Sequence, residues 1–407
     1  HLVDPVGDPL PVTDQALSAT ALIPDGSLKQ YIAPPLPDRA GLFSIDVGEK
    51  NMVVAVDPYT GETLGSVEKD STWFYFASDI HGTLLIGDLG DRLMEIAAGL
   101  GIILLVTGLY LWWPRDNTSF ASALVPDLSS RGRGLWKELH VKTGAWISVV
   151  LLFFLISGLA WTGIWGGQFV QAWSTFPAEK WEAVPLSDDT HATMNHGALH
   201  EVPWGLEQTR MPMSTLIAGS GDQVAPSSFS LNEVVALARD IGFDEQFRVN
   251  VPSDPTGVYT ISADSMDGDT TNPTGDRTVH VDQYSGAIIA EVGFADYGVA
   301  AKSMAVGIAL HQGDMGLWNT ILNTIFCLSI VFICVSGVVM WWKRRPSGTL
   351  RLAPPPLPVD LPLWKGAVFI GLLLSLAFPL VGLTLLAAMA LDLLILSRIP
   401  AFRRAFS

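Results

Sequence analysis

The chain has 407 residues, of which 49% are apolar and 16% charged, with a mean hydropathy of +0.35 and a formal net charge of −16. So low a charged fraction, against roughly 25% in ordinary domains, excludes a simple soluble protein. No nucleic-acid partner is expected of so acidic a chain.

Residues 1–80 read as a small α+β unit: a helix start at Thr13-Asp14-Gln15-Ala16, a strand over Met52–Val56, and turn chemistry in Asp57-Pro58-Tyr59-Thr60-Gly61. His81 follows, then an apolar run at about 93–113 that ends near Trp112-Trp113. A basic stretch, 114–142, leads through His140 to a second run at 143–166. Residues 229–292 then repeat the first order. Leu231 to Ile241 forms an amphipathic helix, Val258–Ser262 a strand, and Asp282-Gln283-Tyr284-Ser285-Gly286 the same turn. His311, an apolar run at 317–342 and Trp341-Trp342 complete the second copy. From His81 to Trp112 is 31 residues and from His311 to Trp341 is 30, so the two histidines hold equivalent places. A duplicated histidine at the mouth of two membrane helices points to one shared ligand, a haem.

A fourth run, 366–396, would be about 46 Å long as one helix, and Pro379 lies near its middle. A single kinked helix is favoured over a broken hairpin of two arms, since either arm alone is too short to span. The fold class is therefore an α-helical membrane bundle of four visible spans carrying α+β outer domains. A further amino-terminal span is expected before His1, which otherwise begins outside with nothing to carry it there.

Charge sets the orientation. Residues 1–91 hold 14 acidic and 4 basic side chains and 167–316 hold 20 and 6, whereas 114–142 holds 3 and 5 and 343–365 holds 1 and 5. Short basic loops stay inside. The expected order is an outer domain (1–80), histidine and span (81–113), inner loop (114–142), span (143–166), outer domain (167–310), histidine and span (311–342), inner loop (343–365) and the kinked segment (366–396). Cys327 and Cys334 lie seven residues apart on one helix, about 10 Å, too far for a disulfide. The tryptophan pairs read as interfacial anchors. Gly99, Gly101, Gly108 and Gly337 permit either close helix approach or room for a porphyrin.

Three further places invite chemistry. His140 lies at the inner end of the second span and is a candidate ligand of an inner haem. His191, His196 and His200 cluster in an outer stretch that would contact a metal or substrate, touch a haem pocket, or form a plain loop. The polar run from Asp264 to Pro273 holds three aspartates but lacks an EF-hand glutamate, so a solvated hairpin tip is expected there rather than a calcium loop.

The Asp-x-Tyr-x-Gly turns, the histidines after them, the spans ending in Trp-Trp, Trp161-Thr162-Gly163 and Phe176–Trp181 resemble the PepSY-associated transmembrane family. Within it the chain is similar to FoxB-type inner-membrane ferrisiderophore reductases. That resemblance implies PepSY-like periplasmic domains, a multi-pass protein of the bacterial inner membrane, and two haems b. The outer haem would fall to His81 and His311 and the inner one to His140, with a second inner ligand absent from this sequence. A ferric siderophore would be the acceptor. No G-x-G-x-x-G follows a strand, so a separate cytoplasmic or membrane donor is expected. Two alternatives stay open: a haem-carrying relay subunit of a larger membrane complex, and a haem-free PepSY regulatory or binding module.

Overall fold

The computed structural model describes residues 1–114, 119–171, 180–195, 201–214, 229–344 and 364–399. They fall into two units, each discontinuous in sequence: His1–Gly87 with Gln171–Thr320, and Asp88–Val170 with Ile321–Ser407.

The first unit is built on an antiparallel sheet. Its first half is helix α1 (Val12–Leu22) and strands β1 (Ser27–Ile32), β2 (Gly41–Val47), β3 (Lys50–Val56) and β4 (Thr63–Glu68). Later in the chain, β5 (Leu186–Thr190) and β6 (Arg210–Pro212) pair as a separate ribbon. Helix α6 (Leu231–Asp240) and strands β7 (Arg248–Asn250), β8 (Val258–Ala263), β9 (Arg277–Asp282) and β10 (Ile288–Gly293) form the second half. The sheet order is β10-β9-β8-β7-β1-β2-β3-β4. The two stretches expected as separate outer domains thus share one eight-stranded sheet.

The seam between them is a short antiparallel pairing, Gln30 with Asn250, Tyr31 with Val249 and Ile32 with Arg248. The Gln30 amide donates to Asn250 Oδ1 at 3.0 Å. Equivalent residues also meet at the helix starts: Thr13 N–H donates to Asn232 Oδ1 (3.0 Å), and Asn232 Nδ2 donates back to Thr13 Oγ1 (2.8 Å). The repeat is therefore a pseudo-two-fold arrangement within one chain. One hydrophobic core joins Phe43, Ile45, Val54 and Val56 of one half to Phe247, Val249, Ile261 and Val281 of the other.

The repeated turns have one construction. Asp57 Oδ1 accepts from the N–H groups of Tyr59 (2.8 Å) and Thr60 (3.2 Å), as Asp282 Oδ1 does from Tyr284 (2.9 Å) and Ser285 (2.8 Å). Gly61 and Gly286 close the turns at φ +73° and +71°, a left-handed conformation open to glycine at little cost. Each tyrosine hydroxyl then ties the turn to a neighbouring carbonyl, Tyr59 to Pro37 and Tyr284 to Pro255.

The second unit is helical. Helix α3 (Gly87–Trp112) and α5 (Arg133–Leu159), separated by the short α4 (Phe120–Leu124), are joined later in the chain by α8 (Leu317–Arg344), α9 (Trp364–Ala377) and α10 (Pro379–Leu394). Helix α5 begins ten residues earlier than the span expected at 143–166, so His140 lies within it. The last apolar run differs from the expected single kinked helix. It breaks at Phe378, whose φ −126° and ψ 84° are not helical, because Pro379 has no N–H to continue the ladder. The freed Ala377 carbonyl accepts from the Trp165 indole at 3.0 Å, and that indole stacks on Phe378. From Pro379 to Arg398 the second piece is long and apolar enough to span alone.

Small residues and carboxylates shape this packing. A Cβ at Gly99 would collide with Val381, and one at Gly101 would press Leu155 at 3.3 Å, so both glycines allow close helix approach. The buried Glu95 carboxylate accepts from the N–H groups of Ile164 and Trp165, both at 3.2 Å, and satisfies the chain as it leaves α5 for the π-helical turn Trp165–Val170.

Candidate functional site

His81 and His311 do not open the long apolar helices. Each lies in the last turn of a separate helix of the sheet unit, α2 (Trp73–Thr83) and α7 (Val299–Gln312). Thr72 caps the start of α2 by accepting from Tyr75 N–H. Both helices end on a left-handed residue: Leu84 (φ 53°), whose N–H donates to Ile80 O, and Gly313 (φ 96°), whose N–H donates to Ala309 O. Leu85 follows at φ 62°, so two leucines in succession hold a conformation costly to them. The strain falls within four residues of His81.

These helix ends bring the two imidazoles together, with ring centroids 6.2 Å apart and planes at 62°. A metal-bound imidazole nitrogen lies about 2 Å from its metal and roughly 1.2 Å from its ring centre, so two imidazoles on opposite sides of one iron have centres about 6.4 Å apart. The centroid separation of the pair matches that span. Burial, and next the charge on His81, push the His311 pKa down to about 4. The ring is thus neutral near pH 7, the form that coordinates. On α2, Phe74 lies two turns before His81 on the same face and is exposed, leaving apolar surface on that face.

His140 is in the helical unit, on the second turn of α5. Its Nδ1 lies 2.8 Å from Ser336 Oγ on α8. The Ser336 hydroxyl gives its hydrogen to Ile333 O at 3.0 Å, so its oxygen accepts from Nδ1–H. That tautomer leaves the lone pair on Nε2, the arrangement by which neighbouring groups orient a ligating histidine. Gly337 brings α8 close to the same ring, since a Cβ there would stand 3.8 Å from Cε1. His140 is the one histidine of this unit in the sequence.

The stretch expected to expose His191 buries it instead. Its Nε2 meets Nε2 of His280 at 3.1 Å. Thr209 holds its Nδ1 through both carbonyl and hydroxyl, and Thr260 Oγ1 holds His280 Nδ1 at 3.0 Å. Trp181 stacks on the His191 ring. With both rings at 0% exposure, this pair is a polar knot inside the sheet unit, not a surface for substrate. His196 and His200 lie outside the described residues.

The expected solvated tip after β8 is also buried. Asp264, Asp269 and Asp276 are 1%, 5% and 4% exposed, and Arg248 of β7 reaches among them. Sequence reasoning missed this group because its one basic partner is on another strand.

A duplicated half-sheet, paired histidines at its helix ends and, among the described residues, four helices long and apolar enough to cross a bilayer define a multi-pass membrane protein. The model of the PepSY-associated TM region matches residues 2–344, and the chain belongs to that family. No curated protein sequence matches the chain.

Proposed function

We propose that the protein is a haem b-containing reductase of the bacterial inner membrane, with its sheet unit in the periplasm and a ferric siderophore as electron acceptor. The observation that carries this reading is the 6.2 Å separation of the His81 and His311 rings. His81 and His311 would hold one haem, and His140, oriented by Ser336, would supply Nε2 to a second. Haem supplies a reversible one-electron couple whose potential follows from its ligands, hydrogen bonds and burial.

The protein's own contribution is geometric and electrostatic. The left-handed caps of α2 and α7 fix where the imidazoles stand, and burial keeps His311 neutral. The acidic balance of the outer stretches and the basic loops around Arg131 and Arg133 support the orientation. Siderophore oxygen donors hold hard Fe(III) far better than Fe(II), so adding one electron loosens the metal from its chelator. The electron would come from a separate cytoplasmic or membrane donor.

The absorption spectrum of the purified protein tests the reading. A Soret band with α and β bands that sharpen on reduction is expected, and a ferric siderophore added to the reduced protein should reverse the sharpening. His81→Ala and His311→Ala should each lose the same haem or its low-spin signal, and His140→Ala the other. A spectrum without a Soret band would leave a haem-free binding module. Bands that ignore ferric chelates would leave a relay subunit.

A further inference from the structure

We infer that Asp264, Asp267 and Asp269, at the tip between β8 and β9, form a calcium site. Carboxylate oxygens from all three lie within 4.8 Å of one another. Two opposed calcium–oxygen bonds of about 2.4 Å span that distance, whereas magnesium demands a tighter octahedron. Every donor is a hard oxygen, which disfavours softer transition metals.

Hydrogen bonds account for most of the buried oxygens, with one exception. Asp269 Oδ1 accepts from Gln246 Nε2 (2.8 Å) and Arg248 Nε (3.1 Å), and Oδ2 accepts from Arg248 Nε (3.0 Å). Asp267 Oδ2 lies 3.2 Å from the same guanidinium nitrogen. Asp276 Oδ1 accepts from Ser265 N–H at 2.8 Å, and Asp264 Oδ1 from Asp267 N–H at 2.8 Å. Asp264 Oδ2 is buried and has no hydrogen-bond partner among the described residues, on a residue 1% exposed. A buried carboxylate oxygen without a donor is among the least tolerable groups in a protein interior, and a bound cation satisfies it.

Charge makes the same point independently. Asp264, Asp267 and Asp269 gather around one guanidinium, and Arg248 is committed to Asp269 and Asp267. Lys69, the next basic group, is paired with Glu201. One guanidinium cannot balance three ionised carboxylates, and it leaves the free Asp264 oxygen unaddressed. A divalent ion resolves both, and it would fix the β8–β9 tip to the strand at the central seam.

Full-length protein in detergent, stripped with a chelator, should bind one calcium per chain in equilibrium dialysis against radioactive calcium. Its thermal unfolding, followed by tryptophan fluorescence, should shift upward with calcium and much less with equal magnesium. Asp264→Asn, which keeps the volume and removes the charge, should abolish both effects. Where that variant does not fold, Asp267→Asn replaces it. A wild-type protein that binds no calcium, or an Asp264→Asn variant that binds it like wild type, overturns the site. In that case the Asp264 carboxyl carries a proton instead.

Discussion

The buried pair of His191 and His280 makes the sheet unit acid-sensitive. Burial pushes the His191 pKa down to about 4 and drives His280 well below its usual value, with the charge of His191 adding to the effect. Both rings are therefore neutral when folded but gain protons near pH 6.5 when unfolded. The unfolded state binds more protons below that pH, so stability is full above about 6.5 and is lost as pH falls toward 4. For His191 alone the loss amounts to about 3 kcal/mol. Melting temperature measured against pH should fall steeply over this window, and His280→Asn should flatten the fall; an equally steep variant curve would place its origin elsewhere. Other features at this scale could be read from local pattern. The Asp-x-Tyr-x-Gly turns were legible because each aspartate accepts from N–H groups two and three residues on, within the turn itself. The pairing of His81 with His311 was legible because the repeat gave them equivalent places. His191 and His280 are 89 residues apart, and the one local hint was a histidine between Val279 and Val281 in a buried strand. The aspartates misread as a solvated tip share that difficulty: Arg248 reaches them through strand pairing, which composition does not record.

Helices show a different limit. The apolar runs were plain in the sequence, yet their ends were set by things that hydropathy does not register. The separate helices of His81 and His311 depend on left-handed caps at Leu84 and Gly313, and the break before α10 on Pro379 together with Trp165. The role of Gly99, left open between helix approach and porphyrin space, is decided by Val381. Gly99→Leu should push α10 away from α3 at a cost of about 1–3 kcal/mol. Gly108 has nothing within 4 Å of its would-be Cβ, so Gly108→Leu should change little. Thermal unfolding in one detergent compares the two, and equal losses would remove the packing explanation.

At the scale of the whole molecule, neither half of the sheet is complete. Residues 1–87 carry β1 to β4 but leave the β1 edge bare until β7 covers it. Expressed alone, this segment should self-associate through that edge, and adding residues 171–320 should restore a defined species in size-exclusion chromatography. A monomeric, cooperatively folded 1–87 fragment would contradict the seam as a requirement. The sequence made the repeat readable but not the fusion of its halves, because the joining strand is only three residues long and carries no pattern of its own. Gln30 and its partner Asn250 are 220 residues apart. At ribosomal rates of roughly 5–20 residues per second, that interval lasts on the order of 10–45 s. For all of it, while two apolar helices are being threaded into the bilayer, the first half-sheet waits with an open edge, and each newly made chain depends on its surroundings to keep that edge from a stranger's strand.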